Sequence, residues 1–391
     1  MVRSLRNMDE KYDFYFLLPG LGPNRPAGGY NIVYKLSKCL HDAGKKVAIG
    51  FTLDTHLSYR GVIDSIPTQP LPLRLLGIAA RIPVLGKRLP FAIFMFGKYI
   101  LGNDYDYSVL EGIDLHLITS KEQLLNNSKV YIATAWETAK LVYEAAEKDQ
   151  VLGWYLIQNS EDDPSFSGNL SSLAEDTYEL PLQKFVINRK AYEHFSKDGC
   201  KLFNVCINHS DFFQDFSIER KNIISTVLRK DKSKGAEYAI EALNMLHSRN
   251  EELEFVAYGD YPTTRVPPWI KFYHKPINSI LRTIYNSSQI FVLPSVVEGF
   301  SLPPLEAMAC GAAVVATRNG GCEEYIIDGI NGLLCNIKDS KNLALRVEYL
   351  IHNKDILMGI QREGLATSMK FSYESMCTGF LNIVSELIEK L

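Results

Sequence analysis

Short runs rich in Val, Ile, Phe and Tyr alternate with helix-length amphipathic stretches along this chain, and they do so twice. In the first run Phe14–Leu18, Lys46–Phe51, Asp114–Thr119, Lys129–Ala133, Trp154–Gln158 and Lys201–Ile207 read as strands. A helix over Tyr30–Ala43 is closed by Gly44, and Tyr178–Phe195 has helical spacing. The second run starts at Ile223–Leu228. Helix Ala236–Ser248, strand Leu253–Tyr258, helix Asn278–Asn286, strand Gln289–Leu293, helix Leu302–Cys310 and strand Ala313–Ala316 follow in turn. A helix between two strands returns the chain to the edge it left, so the strands pair in parallel. The polar, irregular stretch Asn208–Lys221 separates the runs. The expected fold class is therefore α/β, with two Rossmann-like, doubly wound halves. Ser372–Leu391 closes the chain as an amphipathic helix.

At 391 residues the chain can fill two full cores. A net charge of −3 implies no general polyanion-binding role, and no nucleic-acid partner is expected. Cysteines 39, 200, 206, 310, 322, 335 and 377 are odd in number and scattered. They fit reduced thiols in the cytoplasm, not a disulfide framework or a zinc site. Met1–Lys11 is charged and polar, so no signal peptide is expected, and no uncharged apolar run reaches the ~20 residues of a membrane span.

The most informative stretch is 294–312, Pro-Ser-Val-Val-Glu-Gly-Phe-Ser-Leu-Pro-Pro-Leu-Glu-Ala-Met-Ala-Cys-Gly-Ala. It follows an apolar strand and enters a helix. Ser301 is placed as an N-cap, and Pro303 and Pro304 suit a first turn. The amides of Gly299, Phe300, Ser301 and Leu302 lie at the positive end of the helix, where a phosphate or a sugar hydroxyl is favoured. Glu298 and Glu306 bracket them. Two acids beside an anion site make sense if they accept hydrogen bonds from hydroxyls of a sugar and a ribose.

This stretch resembles the Glu-x7-Glu motif of retaining GT-B glycosyltransferases, family 4 in particular. The resemblance extends to Gly-Phe after the first Glu, Pro-Pro-Leu before the second and Ala-Met-Ala-Cys-Gly after it. It implies that Glu298 holds the donor sugar and Glu306 the nucleotide ribose. It implies a GT-B fold, with two domains facing a cleft and the last helix crossing back. The domains are then 1–208 with 372–391, the acceptor side, and 209–371, the donor side. Leu228–Gly235 resembles the family's diphosphate grip, with Arg229 and Lys234 as its cations. Fixed cations stabilise the charge that gathers on a departing diphosphate. Tyr258-Gly-Asp-Tyr261 resembles a Gly-x-Gly loop without its second Gly. Lys275, Pro276 and Ile277 resemble the segment whose backbone reads the base. Gly28 and Gly29 match a Gly-Gly pair that approaches the donor from the first domain. A dinucleotide fingerprint fails at Gly20-Leu-Gly22-Pro-Asn-Arg25, where Arg25 replaces the last Gly.

The first half departs from the family. No His follows its strands at Ala133-Thr-Ala-Trp-Glu-Thr138 or Leu156-Ile-Gln-Asn-Ser-Glu-Asp162. The second run is similar to a subgroup of surface-glycan rhamnosyltransferases, and Asn159 and Glu161 are its candidate polar contacts, or else loop caps. Asp104-Tyr-Asp106 follows no strand and is taken as a chance Asp-x-Asp. The eight His show no paired spacing, so no metal is expected. Ser65–Asn103 has no acid but carries Arg74, Arg81, Lys87, Arg88 and Lys98. It suits either an anionic membrane surface at the inner face of the membrane or an ordinary cover for the sheet.

The expected activity is retaining, metal-independent transfer of a sugar from a nucleotide-diphosphate sugar, with no further cofactor, to a hydroxyl of a glycan or lipid-linked acceptor in surface polysaccharide or glycoprotein synthesis. A nucleotide-sugar epimerase on the same fold and a non-catalytic partner of a glycan-synthesis complex are the alternatives.

Overall fold

A computed structural model describes residues 11–20, 28–52, 107–118, 120–159, 170–250 and 252–389. The chain divides into two compact units, Met1–Phe203 with Cys377–Leu391, and Asn204–Met376.

The first unit holds a parallel sheet of seven strands: β1 (Tyr12–Leu18), β2 (Val47–Thr52), β3 (Asp114–Ile118), β4 (Ser128–Ala133), β5 (Leu152–Ile157), β6 (Gln183–Val186) and β7 (Lys201–Leu202). They lie in the order β3-β2-β1-β4-β5-β6-β7. Phe16 pairs with Ile49 on one side and Ile132 on the other. β1 and β2 are apolar almost throughout, as strands covered on both faces must be. Helix α1 (Gly28–Asp42) buries Ile32, Val33, Leu36 and Leu40. Helix α2 (Trp136–Asp149) buries Ala139, Leu141, Val142, Ala145 and Ala146.

The expected helix over Tyr178–Phe195 is a correction. Its middle is β6, followed by α4 (Arg189–Phe195), while α3 (Ser171–Asp176) precedes it. Pro181 forces the residue before it out of the helical region, and Leu180 stands extended at ψ 137. Asn188 then opens α4, its side chain accepting from Ala191 N at 2.8 Å. The expected strand Lys201–Ile207 shortens to two paired residues, after which the chain leaves the sheet.

The second unit holds β8 (Lys221–Leu228), β9 (Glu254–Gly259), β10 (Ile270–His274), β11 (Ser288–Leu293), β12 (Ala313–Thr317) and β13 (Leu333–Cys335), all parallel, in the order β10-β9-β8-β11-β12-β13. β10 and β13 were not anticipated from the sequence. Both are edge strands, and β10 carries Lys271 and His274 exposed, so its apolar signal is thin. Helices α5 (Ala236–His247), α6 (Asn278–Ser287), α7 (Leu302–Ala309), α8 (Ser340–His352) and α9 (Lys354–Ser368) cover the sheet. Leu243 and Leu246 of α5 share a core with Leu343, Val347 and Leu350 of α8 and with Ile224, Ile290 and Val292 of the strands.

The last helix, α10 (Tyr373–Ile388), passes into the first unit from Cys377 onward. There Phe380 packs 5.5 Å from the Phe203 ring and 6.0 Å from Phe185, and Glu386 pairs with Lys201 at 2.8 Å. None of the seven cysteines forms a disulfide. No helix among the described residues is long and apolar enough to cross a membrane.

Candidate active site

The second sheet reverses its winding between β8 and β11. From β8 the chain builds outward through β9 and β10, and from β11 it builds the other way through β12 and β13. Loops leaving the carboxyl ends of β8 and β11 therefore diverge and leave a crevice, the usual ligand position in such sheets. These are the loops that carry Arg229 and Lys234, and Glu298.

Local contacts join the two loops. Asp231 accepts from Ser233 N at 2.9 Å and bends the chain into a tight turn over Lys232–Lys234. Gly235 ends the turn at φ +62, and a Cβ there would stand 2.2 Å from the Pro294 carbonyl oxygen, so no other residue fits. Ser233 O accepts from Val296 N at 2.7 Å. Across this join Lys234 Nζ lies 3.0 Å from Glu298 Oε2, both side chains 17% exposed. Glu298 Oε1 accepts from Ser295 Oγ at 2.8 Å. The expected diphosphate cation and the expected sugar carboxylate are thus one ion pair.

Glu306, in the second turn of α7, is held differently. Tyr285 donates to its Oε2 at 3.2 Å, and the Tyr258 and Tyr285 hydroxyls are hydrogen-bonded to each other. The one Tyr285 proton goes to Glu306, so Tyr258 donates to Tyr285. Both rings are buried. Burial first pushes both phenols above their ordinary range; Glu306 adds to this at Tyr258, and Tyr258 and then Glu306 add to it at Tyr285, so both remain protonated donors. Arg229 is exposed and within electrostatic reach of the Tyr258 hydroxyl.

The loop after β9 closes on its neighbours. Gly259 stands at φ +142, and a Cβ would lie 1.9 Å from Leu228 O. Asp260 accepts from Lys230 N at 3.0 Å, and Gly259 O from Lys275 N at 2.8 Å. Lys275 and Ile277 are exposed and Pro276 is buried at the end of β10. The Arg229, Lys234, Lys275–Ile277 and Glu298 segments therefore lie side by side on one sheet edge. Both Glu298 and Glu306 act on the buried Tyr325 phenol.

One expectation at this edge is overturned. Ser301 stands at the N-cap position but makes no capping bond: it sits at φ 68, and its buried hydroxyl has no partner. A capping oxygen takes the second or third N–H of the helix, and those positions are Pro303 and Pro304, which have none. The amides at this helix head are thus those of the loop, Gly299 to Leu302. The Phe300 ring is buried against Tyr325 and Phe371, so this residue offers a backbone amide and not its side chain.

Gly28, Gly29 and Asn159 belong to the first unit. Gly28 has open space where a Cβ would be, and at Gly29 a Cβ would stand 3.1 Å from Gln158 Oε1. Asn159, half-buried, follows Gln158. Glu161, Gly22, Arg25, Asp104, Asp106 and the 65–103 stretch lie outside the described residues. Among the described residues no group of three His, Cys, Asp or Glu is placed to hold a metal. Sequence reading gave no role to the Ser295, Tyr258 and Tyr285 side chains. Tyr258 and Tyr285 are 27 residues apart, and only the β8–β9–β11 pairing makes them neighbours.

Residues 208–365 match the family described as glycosyl transferases group 1. Over 317 residues the chain is 23% identical to an N,N'-diacetylbacillosaminyl-diphospho-undecaprenol alpha-1,3-N-acetylgalactosaminyltransferase of Campylobacter jejuni, an alignment covering 73% of this chain and 81% of the relative. A tighter match, 38% over 96 residues, is to an uncharacterized glycosyltransferase of Methanocaldococcus jannaschii, covering 25% of this chain and 27% of that one. Among solved structures, HepE of Anabaena in complex with UDP-glucose has a TM-score of 0.68 at 14% identity, covering 96% of this chain and 100% of that one. The fold is GT-B, two Rossmann-like parallel-sheet domains. The chain carries a glycosyl transferase group 1 domain and is a glycosyltransferase.

Proposed function

We propose that the chain is a retaining, metal-independent glycosyltransferase that moves a sugar from a nucleotide-diphosphate sugar to a hydroxyl of a glycan or lipid-linked acceptor. The observation that carries this is the gathering of Arg229, Lys234, Glu298 and Glu306 at the winding reversal of the second sheet, with every acid either paired with a cation or held by a donor. Glu298, fixed by Lys234 and Ser295, orients the donor sugar. Glu306, oriented by the Tyr285 hydroxyl on its Oε2, is the carboxylate that meets a ribose hydroxyl. Arg229 and Lys234 supply the positive charge that a departing diphosphate needs, which is the work a metal does in other transferases. Among the described residues of the second unit no side chain stands out as a nucleophile for double displacement, and the acceptor attacks on the face the leaving group vacates. The Campylobacter relative's name specifies a diphospho-undecaprenol acceptor, which supports a lipid-linked one here, used at the inner face of the membrane with 65–103 as the basic contact surface.

Thermal shift against a panel of UDP-, GDP- and dTDP-sugars tests the donor. A ligand at 100 times its dissociation constant adds about 2.7 kcal/mol of stability. With the stabilising donor, transfer continues in excess chelator and the product keeps the donor's anomeric configuration. Strict dependence on added magnesium or manganese, or an inverted product, rejects the mechanism. A donor converted without any acceptor favours an epimerase.

A further inference from the structure

The first sheet has a reversal of its own, between β1 and β4, which the donor groups leave unused. Three segments end there: Gly28–Tyr30 at the head of α1, Thr134–Glu137 entering α2, and Gln158 after β5. Gln158 ties them together. Its Nε2 donates to Thr134 O at 3.1 Å, and its Oε1 is what a Cβ at Gly29 would meet, at 3.1 Å. Gln158 is only 7% exposed, yet its Oε1 has no hydrogen-bond donor. Leaving a buried amide oxygen empty is costly unless something arrives to fill it.

Glu137 is the second acceptor there, with a backbone N–H as its donor and no charge partner among the described residues. It lies in the first turn of α2, half-buried, close enough to Tyr30 of α1 for its charge to act on that phenol. The Tyr30 hydroxyl is committed to the Pro19 carbonyl. No cation among the described residues offsets Glu137, and Tyr30 is the one titratable group facing it there. Loss of solvent raises its carboxyl to about 7.

An uncompensated carboxyl and an empty amide oxygen, together at the carboxyl edge of a parallel sheet, suit a ligand that brings hydroxyls and no negative charge. Building on the glycosyltransferase reading, we propose that Glu137 and Gln158 bind hydroxyls of the sugar acceptor within the first unit. Glu137 accepts from one hydroxyl as a carboxylate. Gln158 Oε1 accepts from another that enters beside Gly29, where the missing Cβ leaves the way open.

Calorimetry on the full chain tests this with p-nitrophenyl α-glycosides of glucose, mannose, rhamnose and N-acetylglucosamine, and separately with UDP, GDP and dTDP. At least one glycoside should bind. Its affinity should fall about ten-fold from pH 8 to pH 6, because a carboxyl titrating near 7 goes from about nine-tenths to one-tenth ionised. Glu137→Gln should bind as the wild type does at pH 6, with no slope. Gly29→Ala, a change a helix accepts, should weaken the glycoside at least five-fold by crowding Gln158. Glu137→Gln should bind nucleotide as the wild type does. If nucleotide binds and no glycoside does, the acceptor site is wrong and the donor reading stands. An unchanged affinity and slope in Glu137→Gln also overturns the site. If neither ligand class binds, both readings fall.

Discussion

The two units repeat one architecture and furnish it differently. Each is a parallel sheet that reverses its winding once, and in each the loops at the reversal carry polar groups. In the second unit the charged side chains Lys234, Glu298 and Glu306 are engaged, while the Ser233 and Ser301 hydroxyls are not. Lys234 holds Glu298 at 3.0 Å, Tyr285 holds Glu306 at 3.2 Å, and Ser233 O joins the two loops. In the first unit, among the described residues, Glu137 has no cation and Gln158 Oε1 no donor. A nucleoside diphosphate is the same ligand whatever sugar it carries, so its site is rigid and rich in charge. A site left short of hydrogen-bond donors waits for a ligand that brings them. The second site is the more legible in sequence for the same reason: fixed chemistry needs fixed residue types at fixed spacing.

The largest expected effect tests the second unit. Arg229→Ala should raise the barrier to transfer by roughly 2.7–4 kcal/mol, by analogy with a lost oxyanion donor. The exposed Arg229 contributes little to folding, so the loss should appear in kcat at unchanged thermal stability. A loss of less than five-fold would mean that Lys234 alone bears the leaving charge.

Glu306→Ala should weaken nucleoside diphosphate binding by roughly 1.5–3 kcal/mol, as a charged acceptor is lost. The matching deoxyribonucleotide should bind both proteins with a smaller difference. Equal loss for both nucleotides would detach Glu306 from the ribose. Glu298→Ala should act chiefly on turnover, since orienting the sugar matters most at the transition state.

The first unit predicts a different signature, in stability. A carboxyl that titrates near 7 when folded and near its ordinary 4.5 when unfolded binds more protons in the native state between those values. Stability therefore falls as pH rises through that window, and the penalty is full above 7. Glu137→Gln should match the wild type near pH 4.5 and exceed it by roughly 1–3 kcal/mol at pH 8 in urea unfolding, the upper figure being reduced by its partial exposure. A variant less stable than the wild type at pH 8 would mean that the charge is compensated.

Most of the strand and helix alternation was legible because buried parallel strands are apolar runs and the helices between them are amphipathic. The failures came where a local signal was outweighed in reading. Pro181 and Asn188 divide Tyr178–Phe195 into strand and helix, and both are plain in the sequence once helical spacing is set aside. Ser301 looked like a cap by type, although Pro303 and Pro304 remove the N–H groups it would have served. Arg229, Lys234, Glu298 and Glu306 stood out because each sits in a patterned loop. Gln158 and Glu137 carry no pattern. What marks them is a missing partner, and that is visible only when β4, β5 and the head of α1 are placed together.

The smallest effect probes what holds the second site rigid. Tyr285→Phe deletes one hydroxyl from a chain that runs from Tyr258 to Glu306. Glu306 loses the Tyr285 donor and Tyr258 its acceptor, while the ring keeps its packing against Phe291 and Phe212. A hydrogen bond of this kind contributes about 0.5–1.5 kcal/mol net. If the chain only supports the fold, that sum appears in urea unfolding and nucleotide affinity is untouched. If it aims Glu306 at the ribose, nucleotide affinity falls by about the same amount, and Tyr258→Phe, one link further away, costs less. A Tyr258→Phe loss in nucleotide binding larger than that of Tyr285→Phe would show that the link runs through Arg229 and the diphosphate.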